Sequence, residues 1–213
     1  MQTKKGQSIE DASMKMIEDE IGSHNYNEKE WPIVRRIIHS TADFDFADKN
    51  RLIFQKDAIE SGMSALKNGC SIVVDVNGVI GGLNKQNPKD FGNNIVCNIS
   101  KSEVMQQAKD EGKTRSQVSM RIAKEDIDGG VVAIGNAPTA LMEVIEMVNE
   151  GIVKPALIIG IPVGFICAPE SKEALSKLEG TPFITNLGRK GGSSSASAII
   201  NAIFKLIRAE SST

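Results

Sequence analysis

Short, unbroken runs of Val, Ile and Leu recur along this chain, each followed by a segment with helical spacing. That alternation constrains the fold more than any other feature. Five runs read as strands: Cys70–Val74, Ile95–Ile99, Val131–Ile134, Ala156–Ile159 and Phe183–Thr185. A half-exposed strand alternates apolar and polar residues, whereas several of these are continuous, as a sheet covered on both faces requires. Ser102–Lys109, Thr114–Ile122, Ala137–Val148, Ser171–Leu178 and Ser195–Ile207 read as helices, the last with Ile199, Ile200, Ile203 and Ile207 on one side. Two helices precede the strands. One is marked by Ser8 and Asp11, which resemble a capping box, and stops at Gly22; the other starts near Trp31-Pro32 and runs to His39. The pattern predicts an α/β fold, a mainly parallel sheet with helices on both faces, in a single domain over residues 1–213.

Composition narrows the function classes. The chain is 40% hydrophobic and 24% charged, with 25 Lys and Arg against 27 Asp and Glu. So balanced a chain lacks the basic excess of a dedicated nucleic-acid binder, and no nucleic-acid partner is expected. Aromatic residues make up only 4%, which disfavours base-stacking platforms and haem-type cages. Cys70, Cys97 and Cys167 are widely separated and form no zinc or disulfide spacing, so reduced, buried thiols in a cytoplasmic protein are expected. The first residues, Met1 to Gly6, are polar and unlike an apolar leader. The most apolar stretch, Ala156 to Ala168, is shorter than a bilayer span and contains Pro162, so no membrane association is expected.

In an open parallel sheet, ligands sit beyond the carboxyl ends of the strands. Four polar or glycine-rich segments fall there: Asp75-Val76-Asn77-Gly78, Gly135-Asn136-Ala137-Pro138-Thr139, Gly160–Phe165 and Gly188–Ser193. The segment Gly188 to Ser195 is the strongest anion signal. Its glycines allow close backbone approach, Arg189 and Lys190 add charge, and a helix N-terminus follows. It suits a phosphate or a carboxylate, reads also as a structural turn, and matches neither the P-loop nor the dinucleotide fingerprint. Thr114 and Gln117 form a capping box that places Arg115 in the first helical turn, against the helix dipole. An anionic ligand explains that placement, and so does a solvated surface arginine. His39 closes its helix, where the dipole favours imidazolium and raises the pKa toward neutrality or above, which suits a proton donor; from the residues alone a plain cap is the simpler reading. His24 lies in a polar loop with no special role expected. There is no Ser–His–Asp order, nucleophile elbow, catalytic carboxylate pair or metal-ligand cluster.

Taken in order, these segments resemble the precorrin-8X methylmutase family, also called cobalt-precorrin-8 methylmutases. The matching pieces are Arg36-Ile37-Ile38-His39-Ser40-Thr41-Ala42-Asp43, Asp75-Val76-Asn77-Gly78-Val79, Thr114-Arg115-Ser116 and Val132 to Leu141. Ile159-Gly160-Ile161-Pro162-Val163-Gly164-Phe165, Glu170-Ser171-Lys172 and Gly188-Arg189-Lys190-Gly191-Gly192-Ser193 complete the set. Gly78, Pro169, Ser194 and Ser195 depart from the family's usual residues. The resemblance implies an isomerase of cobalamin biosynthesis that moves a methyl group from C-11 to C-12 of a corrin precursor, giving hydrogenobyrinic or cobyrinic acid. It implies His39 as the catalytic proton donor to a ring nitrogen, Arg115 in the active site, and Ser13 near the substrate. Asn77, Gly135, Asn136, Arg189, Gly191, Gly192 and Ser193 are the remaining candidates for substrate binding. No cofactor is expected, any cobalt belonging to the corrinoid substrate, and the family's homodimer places the pocket near the subunit interface. A non-catalytic corrinoid carrier, and a phosphate-binding α/β enzyme using Gly188–Ser195, are the alternative readings.

Overall fold

The computed structural model describes residues 3–48 and 51–211; Met1 and Gln2, the start of the polar lead-in, lie outside the described residues. The strands are β1 (Leu52–Phe54), β2 (Ile72–Val74), β3 (Ile95–Val96), β4 (Val131–Ile134), β5 (Leu157–Gly160) and β6 (Phe183–Asn186). They form one sheet in the order β1-β6-β5-β4-β2-β3. All pairs are parallel except β1 with β6, where Leu52 faces Asn186. All five expected strands are present, the one after Asn94 shortened to two residues. The sequence reading misses β1, a three-residue edge strand too short to display any period.

Eleven α-helices are described: α1 (Lys4–Ile21), α2 (Glu30–Thr41), α3 (Ala58–Lys67), α4 (Asn77–Gly82), α5 (Gln86–Phe91) and α6 (Ser102–Glu111) come first. They are followed by α7 (Arg115–Ile122), α8 (Lys124–Ile127), α9 (Pro138–Asn149), α10 (Ala168–Ser176) and α11 (Ser193–Glu210). The strands decide which face each helix covers. Along β4, Val131 and Ala133 join a core with α2, α3 and α11, while Val132 and Ile134 join a second core with α7, α9 and α10. Along β5, Leu157 and Ile159 go to the first core and Ile158 to the second. Period-two side chains meeting apolar helices on both sides give the continuous Val/Ile/Leu signature, and the chain is a single α/β domain. In α11, Ile199, Ile200, Ile203 and Ile207 are all buried, each worth roughly 1.5–3 kcal/mol of transfer free energy.

Several boundaries move because capping is local chemistry. Helix α1 begins four residues before Ser8, with the Thr3 hydroxyl accepting from the Gly6 amide at 3.1 Å; Ser8 and Asp11 are exposed inside it. Asn27 Oδ1 accepts from the Lys29 and Glu30 amides, both at 2.9 Å, and so sets the start of α2 before Trp31. Pro169 sits in the first turn of α10, which therefore starts three residues ahead of Ser171. The cysteines are free, but none is fully buried as expected: Cys70 and Cys97 are half-buried, and Cys167 is exposed at the left-handed corner leading into α10. Among the described residues no helix is long and apolar enough to cross a membrane.

Candidate active site

The carboxyl ends of β2, β4, β5 and β6 share one edge, and their loops are tied to one another by backbone bonds. Asp75, directly after β2, is fully buried. Its Oδ1 accepts from the Gly135 amide at 3.1 Å, and its Oδ2 from the Asn136 and Ala137 amides at 2.8 and 2.7 Å. One carboxylate thus anchors the turn after β4 and the approach to α9. Burial pushes its carboxyl above the ordinary range, and the three amides pull it part of the way back. The Ile161 carbonyl accepts from Gly192 at 2.9 Å, and the Arg189 carbonyl from Gly164 at 3.1 Å, joining the loops after β5 and β6. A Cβ on Gly135 would lie 2.7 Å from the Ser193 Cα, and one on Gly191 would run into the Ile161 carbonyl. Glycine is required at both because main chain lies where a side chain would begin.

These contacts revise the expected roles. The backbone donors of Gly135 and Asn136 are engaged by Asp75, so at that turn only the exposed Asn136 side chain is left to meet a ligand. Lys190 adds no free charge to the glycine-rich loop, since its ammonium pairs with Asp43 and Asp45, both at 2.7 Å. Those pairs fasten the segment after α2 to the loop before α11. Arg189 is exposed and lies over the Phe165 ring, 5.3 Å from its centroid. Gly191, Gly192 and Ser193 lead into α11, whose N-terminus has no side-chain cap. The Ser193 side chain packs on Gly78, 3.0 Å from where a Cβ would stand, and Asn77 is exposed at the start of α4.

His39 and Arg115 reach this edge from opposite faces of the sheet. His39 is in the last turn of α2. The adjoining Ser40 hydroxyl lies 3.4 Å from the Ser194 carbonyl, so that turn abuts the start of α11. Arg115 is exposed in the first turn of α7, behind the expected Thr114–Gln117 capping box. Thr114 Oγ1 contacts Thr139 Oγ1 at 3.1 Å, which docks that turn on the start of α9. Strands β4 and β6, which feed α9 and α11, are separated by β5 and so stand about 10 Å apart.

The pKa expectation for His39 is reversed. Burial, then the nearby Arg36 and Lys205, lower it below its ordinary value, and Glu10 opposes them. Partial burial and two cations act against the helix dipole, which by itself would favour imidazolium in this last turn. Arg36, Glu10 and Lys205 also line a cavity of about 450 Å³ between α1, α2 and α11. Ser13, one turn beyond Glu10 on α1, is half-buried and donates to the Ile9 carbonyl at 2.9 Å. The site candidates therefore form a strand-end group, with His39 and Arg115 at its flanks and Ser13 on the helix that packs over α2. His24, expected to be idle, stacks on Trp31 with ring centroids 4.0 Å apart.

Two polar residues at the edge escaped the sequence reading as structural elements. Asp75 carried a signal, an acid placed directly after a buried Ile-Val-Val strand. Lys172 carried another, since it falls in the buried stripe of α10 with Ala168, Ser171 and Leu175. It is 0% exposed and donates to the Lys190 carbonyl at 2.7 Å and to Asn186 Oδ1 at 3.3 Å. Among the described residues no group of three or more His, Cys, Asp or Glu side chains is arranged to hold a metal.

Comparison with known proteins bears on the same residues. The precorrin-8X methylmutase family model matches residues 8–206. A cobalt-precorrin-8 methylmutase of Priestia megaterium is 49% identical, covering 92% of this chain and 86% of that protein. A protein of the same name from Leptospira interrogans is 44% identical, covering 96% and 95%. The solved structure of a precorrin-8X methylmutase from Thermus thermophilus superposes with a TM-score of 0.89 at 37% identity, covering 96% of this chain and 98% of that one. The enzyme names lend no support to the carrier alternative. With the family model and the fold both matched over nearly its whole length, the chain belongs to the precorrin-8X methylmutase family.

Proposed function

We propose that this chain converts precorrin-8 or cobalt-precorrin-8 to hydrogenobyrinic or cobyrinic acid by a proton-assisted 1,5-sigmatropic methyl shift. The bond from the methyl group to C-11 breaks as the bond to C-12 forms, and the conjugated electrons of the ring move with it. No atom is gained or lost, so the step calls for no nucleophile, methyl donor or redox partner. His39 lends a proton to a ring nitrogen, which makes the macrocycle electron-poor, and recovers it afterwards. The observation that carries the reading is the placement of His39 and Arg115 on opposite flanks of one strand-end edge, within a chain of this family.

Substrate carboxylates are held by Arg115, Arg189 and the uncapped start of α11 at Ser193, with the exposed Asn77 and Asn136 side chains as further hydrogen-bonding groups. In the free protein His39 is biased toward the neutral form. Carboxylates brought close to it offset Arg36 and Lys205 and restore the proton, so protonation of the acid follows substrate binding. Cobalt, when present, arrives in the substrate. Val163, Phe165, Ile166 and Leu187 are exposed beside this edge, Phe165 at 79% and Ile166 at 84%, and a homodimer with its pocket near the interface would cover them. A cytoplasmic location fits a biosynthetic enzyme of this kind.

The test is an anaerobic assay of wild type and His39→Ala with metal-free and cobalt-bearing substrate, followed by visible absorbance. The names of the matched relatives make the cobalt-bearing form the first to try. Turnover by wild type, with product binding but little turnover by the variant, is expected. Equal turnover by the two proteins would remove His39 from the chemistry.

A further inference from the structure

Lys172 stands where an ammonium is unfavourable. It is fully buried on α10, and its two acceptors, the Lys190 carbonyl and Asn186 Oδ1, are both neutral. Among the described residues no carboxylate pairs with it. On α10, Glu170 and Glu173 are exposed, and Glu173 pairs with Lys177. On α9 and at its C-cap, Glu143, Glu146 and Glu150 pair with Arg121. In the neighbouring loop Lys190 is paired with Asp43 and Asp45, and Arg189 lies on Phe165. Nor is the ammonium alone in holding the turn: Asn186 Nδ2 donates to the Lys190 carbonyl at 3.0 Å and to the Leu187 carbonyl at 3.2 Å. A buried charge that lacks a counterion, and whose bond to the Lys190 carbonyl is duplicated by Asn186, is a costly way to hold a turn.

What it adds is positive charge beneath the strand-end loop. The Lys190 carbonyl that it grips is followed directly by Gly191, Gly192 and the uncapped N-terminus of α11. In the first turn of that helix, Ser195 is fully buried with a hydroxyl that has no hydrogen-bond partner among the described residues. We propose that Lys172 is a positioning residue for a substrate carboxylate: it fixes the Gly188–Gly192 turn and gives the start of α11 the positive charge that Lys190, neutralised by Asp43 and Asp45, does not. The inference rests on the reading of this chain as an enzyme acting on a corrinoid polyacid.

A pH signature follows. Burial pushes the Lys172 ammonium down to about 8, with no charged neighbour contributing. A bound carboxylate favours the charged form and raises that value again. The free protein therefore loses the charge as pH rises through about 8, and carboxylate affinity falls with it. Arginines stay charged throughout this range, and His39, lowered in the free protein, contributes alike in wild type and variant, so the difference between their profiles isolates Lys172.

The experiment is a spectroscopic titration with cobyrinic acid between pH 6.5 and 9.5, on wild type and Lys172→Met, with thermal unfolding of both. Titration of Lys172 is expected to raise the wild-type Kd about fivefold between pH 7 and 9, because a tenfold preference of the bound carboxylate for the charged form lifts the free value of about 8 by one unit. Lys172→Met is expected to bind about tenfold more weakly at pH 7 and without that pH dependence. Its Tm is expected to stay close to that of wild type, because methionine keeps the length and removes the buried charge, which offsets the loss of the donor to Asn186 Oδ1. A flat wild-type profile would overturn the proposal without any variant, and so would a variant with wild-type affinity or with lowered stability. Failure of the substrate reading looks different, since wild type would then bind no cobyrinic acid at any pH.

Discussion

Removal of the Asp75 carboxylate tests whether one buried acid organises the strand-end edge. Three amides converge on it, those of Gly135, Asn136 and Ala137. In Asp75→Ala the Asn136 amide can turn to water, since that residue is exposed, but Gly135 and Ala137 are buried and their donors would be orphaned. Each orphaned donor costs about 1–3 kcal/mol, so a loss near 4 kcal/mol is expected, less a share recovered by no longer burying a carboxylate. Asp75→Asn should be milder. An amide oxygen placed at Oδ2 keeps the Asn136 and Ala137 bonds, while the NH₂ at Oδ1 meets the Gly135 donor, which loses about 1–2 kcal/mol. Urea unfolding of the three proteins, compared at constant m, gives the ordering directly. An alanine variant within about 1 kcal/mol of wild type would refute the reasoning, for it would mean that the amides find other partners.

Further outcomes are expected at the flanks and the loops. His39→Ala should lower kcat by about 10²–10⁴-fold, the usual contribution of a positioned acid, while product still binds. For wild type, kcat/KM should fall as pH rises through a value below histidine's ordinary one, because the acid must be protonated and burial with Arg36 and Lys205 disfavours that form. The corresponding value for kcat should lie higher, since bound carboxylates stabilise the imidazolium; coincident pH–rate profiles would contradict this coupling. Arg115→Ala should raise KM by roughly 10–100-fold through loss of a charge-assisted hydrogen bond, with Tm unchanged, because the side chain is exposed and makes no ion pair among the described residues. Gly191→Ala should destabilise by roughly 2–4 kcal/mol, read by denaturant unfolding, since its Cβ would displace the Ile161 carbonyl and the Gly192 bond to it.

The large architecture of this protein is written in its sequence because burial on two faces leaves a one-dimensional trace. Val131–Ile134 can be continuous and apolar only where helices cover both sides, and the apolar stripes of α2 and α11 show which helices can do so. The position of the site is legible for the same reason, since polar and glycine-rich residues gather after each strand. The capping box at Thr114 involves neighbours three residues apart and was visible as well. What tertiary structure alone decides is which partner each polar group finds. The same Gly135 and Asn136 that read as ligand donors turn out to serve Asp75, sixty residues upstream, and Lys190 serves Asp43 and Asp45 from another helix end. His39 moves down rather than up because burial and two cations from α2 and α11 converge on it, and charge and solvent act through space, not along the chain. Strand β1 could be recognised only from its pairing with β6, as three residues cannot display a period.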